Sequence, residues 1–152
     1  MNDELRELYQ EVILDHNKRP LNFGPLAESN HDAKGRNPSC GDHITLHLKV
    51  DQGCIADVSF EGEGCAISRA SASMMTAAVK GHTLKEAEAI FEQFHDLVTG
   101  SRELSEQELD ALGKLAVFAG VHDYPARVKC ASLAWHTLKA AIAGSGQPVS
   151  TE

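Results

Sequence analysis

Apolar and polar side chains alternate with period two from His43 to Val50, and the chain then doubles back. Ile44, Leu46, Leu48 and Val50 fall on one side, and His43, Thr45, His47 and Lys49 fall on the other. This pattern specifies a strand with one buried face. Asp51-Gln52-Gly53 supplies a turn, and Ile55 to Phe60 returns as a second strand. A hairpin that is apolar on one side does not hold itself together in water, so the rest of the chain must cover it.

Helical segments are available for that purpose. Residues 3–17 carry Leu5, Leu8, Tyr9, Val12 and Ile13 at helical spacing behind an Asn2 or Asp3 cap, and Arg19-Pro20 and Gly24-Pro25 end the run. Residues 66–80 are rich in Ala, Ser and Met and predict a close-packing helix that stops at Gly81. Thr83-Leu84-Lys85-Glu86 and Ser105-Glu106-Gln107-Glu108 are capping boxes. The first opens a helix with Ile90, Phe91, Phe94 and Leu97, and the second one with Leu109, Leu112 and Leu115. Gly120 to Pro125 reads as a loop, and a last helix runs from about Ala126 to Ala143. A third strand is expected between His31 and Asn37. The expected fold is α+β: a small three-stranded antiparallel sheet with helices packed on one face. Residues 1–143 are expected to form a single domain, with 144–152, rich in Gly, Ser and Pro, as a disordered tail.

The chain of 152 residues is one domain's worth and can bury a core without disulfide staples. Its formal charge of −8 argues against nucleic acid or an anionic membrane as a partner. No apolar run is long enough to span a bilayer, and the acidic start Met1-Asn2-Asp3-Glu4 has no secretory character. A cytoplasmic location is expected, where the four cysteines would stay reduced.

Three of those cysteines lie in unusual settings. Cys40 and Asp42 flank Gly41 in Pro38-Ser39-Cys40-Gly41-Asp42, where glycine lets the backbone turn sharply enough for both side chains to reach one centre. Cys65 follows Gly62-Glu63-Gly64, and Cys130 follows Pro125-Ala126-Arg127. Both are expected at helix N-termini, whose free N–H groups favour thiolate. Arg127 and Lys129 would act in the same direction. Arg127 reads either as support for a thiolate or a partner of Asp42, or as a solvated charge in a first helical turn. Three thiols and a carboxylate make a four-coordinate set for zinc, iron or a cluster. Their separations of 25 (40 to 65) and 65 (65 to 130) residues match no zinc-finger spacing. Spacing therefore leaves two readings open, a shared metal site and three unrelated buried thiols with Asp42 in a surface turn. Cys54, just past the turn at Gly53, reads as a packing residue. His43 is the one histidine placed to support or replace a ligand, with a polar position on the strand's wet face as the plainer reading. The other seven read as surface residues.

The segments PSCGD at 38–42, FEGEGCAISRASASMM at 60–75 and KCASLAWHTLKAAIAG at 129–144, with LRELYQEVILDHNKRPLNFG at 5–24, resemble the iron–sulfur cluster scaffold family of the IscU/NifU/SufU type. The match runs in order over most of the chain. It implies a SufU/IscU-like fold and places the family's ligands on Cys40, Asp42, Cys65 and Cys130. About twenty extra residues between Thr83 and Pro125, and Lys129 where IscU-type members have histidine, are similar to the SufU branch.

That branch implies a bound Zn2+ and a role as persulfide acceptor for a cysteine desulfurase of the SufS type, relaying sulfur to downstream cluster assembly proteins. The chain would then be a sulfur acceptor more than a conventional turnover enzyme, with Cys40 as acceptor thiol. The alternative is a scaffold that builds a [2Fe-2S] cluster on the same four ligands.

Overall fold

The computed structural model describes residues 3–144 and 149–150. Helix α1 (Asp3–Lys18) leads through an irregular connection to strands β1 (His31–Asn37), β2 (Asp42–Asp51) and β3 (Cys54–Glu63). Helices α2 (Ala66–Val79), α3 (Leu84–Thr99) and α4 (Glu106–Leu112) follow, then a 3₁₀ stretch (Gly113–Asp123), α5 (Pro125–Ala143) and a short β4 (Val149–Ser150). The architecture is α+β, with helices packed against one sheet.

The sheet runs in the order β3-β2-β1-β4. It has four strands where the sequence predicts three. β4 comes from the 144–152 stretch expected to be disordered and pairs in parallel with β1 at Gly35 and Arg36. A two-residue pairing carries no hydrophobic period, so nothing in the sequence announces it. Residues 145–148 and 151–152 of that stretch lie outside the described residues.

The central hairpin forms as its alternation requires. Ile44, Leu46 and Leu48 of β2 and Val58 and Phe60 of β3 are buried on one face. Gln52 and Gly53 both take positive φ (51° and 77°), which gives the two-residue turn a twist matched to the strands. A register irregularity follows at Lys49/Val50. Helices α2 and α5 cover the apolar face, and the core continues through Met75, Phe94, Phe118, Leu133 and Trp135. Phe94 stacks on Trp135 with ring centroids 4.6 Å apart. Trp135 Nε1 donates to Ser71 Oγ at 3.2 Å, and that hydroxyl donates to Ala131 O at 2.6 Å. The polar atoms of two buried helices are thus satisfied against each other.

Two expectations shift. The helix opened by Ser105 ends at Leu112, and Leu115 lies in the 3₁₀ stretch, because Gly113 caps α4 and redirects the chain. The last helix starts at Pro125, so Cys130 sits in its second turn and not at its N-terminus. Both capping boxes form as read, at Thr83/Glu86 and Ser105/Glu108.

Candidate metal centre

Sheet register brings the first two polar groups of the site inside. In β2, Asp42 is in phase with Ile44, Leu46 and Leu48, so its carboxylate shares their buried face and is 2% exposed. Its cross-strand partner Asn37 ends the buried series of β1 and is fully buried. Four residues, Pro38 to Gly41, link this pair. The turn is closed by Cys40 N–H to Asn37 O at 3.2 Å, and Gly41 takes φ +70°. Cys40 is therefore held at a half-exposed turn tip, next to two buried polar side chains.

Cys65 enters from the other end of the hairpin's return strand. It is the N-cap of α2, and its sulfur accepts from Ser68 N–H at 3.5 Å. Its own N–H donates to Asp42 Oδ1 at 2.8 Å. Gly64 makes this approach possible, since a Cβ there would clash with Asp42 Oδ1 and lie 3.1 Å from Asp42 Cα. Cys130 enters from α5, fully buried, with Cys40 Sγ at 3.3 Å and Asn37 Nδ2 at 3.6 Å. The same amide donates to Asp42 Oδ2 at 3.3 Å.

The ligand atoms of Cys40, Asp42 and Cys130 all lie within 4.8 Å of one another. Cys65 adjoins them through its backbone N–H, which donates to Asp42 Oδ1. Three of the four residues named from the sequence thus bring their ligand atoms together, and Cys65 lies beside them at the start of α2.

The electrostatics of the group are asymmetric. Hydrogen bonding from Cys130 draws the Cys65 thiol down to about 6; burial opposes this, and the N–H groups of Ser68 and Ile67 reinforce it. Cys130 is pushed up, first by its hydrogen bond to Cys65, then by burial and by Cys40. The Arg127 guanidinium pKa is raised, first by its interaction with the Cys130 thiol and then by the charges of Cys65, Cys130 and Cys40. Arg127 itself is exposed in the first turn of α5. Lys129 lines a different cavity, with His95 and His136.

His43 is exposed and faces Glu63 at 3.9 Å, on the sheet's outer side. Cys54 pairs with Asp51 at the turn end of the hairpin, nine residues along β2 from Asp42, or about 30 Å at roughly 3.3 Å per residue. Five of the histidines read as surface residues are partly buried: His16, His31, His47, His95 and His136. His47 is clasped between Asp32 and Glu61, His16 meets Ser73 Oγ at 2.8 Å, and His136 packs against Phe91. Asn37 was not singled out from the sequence. Its signal is its place in phase with Gly35 and directly across from Asp42, a phase visible only once the register is known.

The NifU-like N-terminal domain profile matches residues 8–131. The chain belongs to that family. Among curated relatives, it is 43% identical over 142 residues to the zinc-dependent sulfurtransferase SufU of Bacillus subtilis, covering 93% of this chain and 94% of that one. It is also 43% identical over 139 residues to the iron–sulfur cluster assembly scaffold protein IscU of Streptococcus pyogenes, covering 91% and 85%. The N-terminal NifU-like protein of Brucella abortus superposes with a TM-score of 0.80 at 26% identity, over 92% of this chain and 95% of that one.

The family's donor set suits a metal ion on physical grounds. A buried carboxylate oxygen and two thiol sulfurs directed at one point are the oxygen and sulfur donors that zinc takes. Sulfur and oxygen donors spaced within 4.8 Å are close to the tetrahedral edges of a zinc–thiolate site, about 3.8 Å for Zn–S bonds of about 2.3 Å.

Proposed function

We propose that this protein serves iron–sulfur cluster assembly in the cytoplasm as a zinc-bound sulfur acceptor, taking persulfide sulfur from a cysteine desulfurase of the SufS type and passing it to downstream assembly proteins. The observation that carries this reading is the meeting of Cys40, Asp42 and Cys130 within 4.8 Å, with Cys65 hydrogen-bonded to the same group. The 43% identity to a zinc-dependent sulfurtransferase supports the choice of zinc.

Cys40, Asp42, Cys65 and Cys130 would hold the ion. Bound zinc would keep the thiols ionised near neutral pH without redox chemistry of its own. Cys40 is suited to be the acceptor because it alone of the four stands at a turn tip. Its thiolate attacks the outer sulfur of the donor's persulfide. A new S–S bond forms at Cys40, the donor's S–S bond breaks, and the electron pair leaves with the donor cysteine as thiolate. Arg127, in the first turn of α5, would steady negative charge on these sulfurs. A cleft of about 430 Å³ beside the site, lined by Tyr9, Ile13, Ile67, Val121, Tyr124 and Arg127, offers a partner's loop a place to rest.

A second reading rests on the equal identity to a scaffold protein: the same four residues would assemble a [2Fe-2S] cluster from iron and sulfide. Metal and sulfide content after isolation without air separates the two. One zinc per chain and no colour supports the acceptor, and a brown protein with labile sulfide supports the scaffold. The test of the acceptor role is the zinc-loaded protein with a cysteine desulfurase and cysteine. Mass spectrometry is expected to find one added sulfur on Cys40, and Cys40→Ala is expected to fold and to lose stimulation of the desulfurase. Undiminished stimulation by Cys40→Ala would remove the assignment. An unfolded Cys40→Ala would favour a purely structural zinc domain.

A further inference from the structure

Asn37 is fully buried, and its side-chain amide is only half satisfied. The Nδ2 end donates to Asp42 Oδ2 at 3.3 Å and to Cys130 Sγ at 3.6 Å. The Oδ1 end is buried without a hydrogen-bond partner among the described residues. The orientation follows from chemistry, since reversing the amide would set its oxygen against a carboxylate oxygen. An amide in this state is a poor choice for the fold alone. An apolar side chain of similar volume would fill the space and leave no stranded acceptor. The benefit must come from the donor end, which faces the two groups of the site that gain most from a donor once they carry negative charge.

We propose that Asn37 is a positioning residue for the metal-capable group: its amide holds the Asp42 carboxylate and the Cys130 sulfur in place and leaves Cys40 as the member free to depart. The hydrogen bonds divide the group in that way. Asp42 is gripped from two sides, by Asn37 Nδ2 and by the Cys65 N–H. Cys65 is gripped by the start of α2. Cys130 is gripped by Asn37 and lies within a helix. The Cys40 sulfur meets only Cys130 Sγ among the recorded hydrogen bonds, and it sits on a turn whose neighbours Ser39 and Gly41 are exposed. Outer groups that orient metal ligands in this fashion typically control affinity by 10–100-fold. The ordering of ligands rests on the proposed zinc-bound acceptor; the link from Asn37 to Asp42 and Cys130 does not.

The test compares the zinc-loaded protein with Asn37→Leu, which keeps volume and removes both amide ends, and Asn37→Ala. Zinc is titrated against a chromophoric chelator, and thermal unfolding of the metal-free forms is followed alongside. The expected result is zinc affinity at least tenfold lower in each variant, with metal-free Asn37→Leu no less stable than the parent. Cobalt-substituted protein is expected to show a shifted visible spectrum in both. In limited alkylation of the zinc-loaded parent, Cys40 is expected to react before Cys130, and Asn37→Leu is expected to narrow that preference. Zinc affinity within twofold of the parent in a folded variant would overturn the proposal, as would Cys130 reacting first. Failure of both variants to fold would show a role in the fold itself and would also overturn it. No step uses a persulfide donor, so loss of the acceptor role for Cys40 would register in a different experiment.

Discussion

The backbone N–H of Cys65 donates to the Asp42 carboxylate at 2.8 Å, so the residue that opens α2 is tethered to the residue that opens β2. Gly64 permits the tether by having no side chain. In Gly64→Ala the new Cβ must displace the Asp42 carboxylate, and Asp42 Cα at 3.1 Å leaves little room for the backbone to yield. The expected result is a fold destabilised by about 1–3 kcal/mol, with a proportionally larger loss of zinc retention. Chemical denaturation and chelator competition on the same sample measure both.

Metal content discriminates among the four cysteines. Cys65→Ser, Cys130→Ser and Asp42→Ala are each expected to lower the zinc stoichiometry of the purified protein. Cys54→Ser, at the far end of the hairpin, is expected to leave it at the parental value. Elemental analysis reads this directly. Adding zinc to the stripped parent is expected to raise its melting temperature progressively with concentration, as binding to the native state alone requires.

His47 supplies a pH dependence on the opposite face of the sheet. Burial pushes its pKa down, but hydrogen bonds to Asp32 at 2.7 Å and Glu61 at 2.9 Å outweigh this and raise it. A histidine raised on folding adds stability that is complete below its unfolded value of about 6.5 and disappears as pH climbs through the folded value. His47→Gln is therefore expected to cost most near pH 5.5 and little near pH 8.5. Both carboxylates are half-exposed, so the acid-side cost is about 1 kcal/mol or less. Paired melting curves of parent and variant at the two pH values check it.

In the core, Ser71 both accepts from Trp135 and donates to Ala131 O. Ser71→Ala strands a buried indole N–H, while Ala131 O keeps its helical partner within α5. The expected loss is about 1–3 kcal/mol. Trp135 is the chain's one tryptophan, so its fluorescence follows the unfolding transition without interference.

Much of this was legible in the chain because it depended on local chemistry. The alternation around Leu46 specified the hairpin, Thr83/Glu86 and Ser105/Glu108 specified two helix starts, and the glycine between Cys40 and Asp42 signalled a turn that could aim both residues inward. What escaped depended on distance in sequence. Asn37 gains its meaning only from standing opposite Asp42, and Gly64 from the carboxylate that passes beside it. His47 looked like a wet-face residue until the register set Asp32 and Glu61 on either side of it. Cys130 lies in the second turn of α5, because a helix read from about Ala126 and found from Pro125 has already completed a turn before it.

The two residues Val149 and Ser150 have a consequence larger than their length. They lie along Gly35 and Arg36, on what would otherwise be a bare sheet margin next to the turn that carries Cys40. Such a margin is a template for self-association, the route by which small β-proteins clump. Pairing with Val149 and Ser150 takes up the backbone groups of Gly35 and Arg36, and a deletion that removes it is expected to leave that stretch of β1 open to self-association.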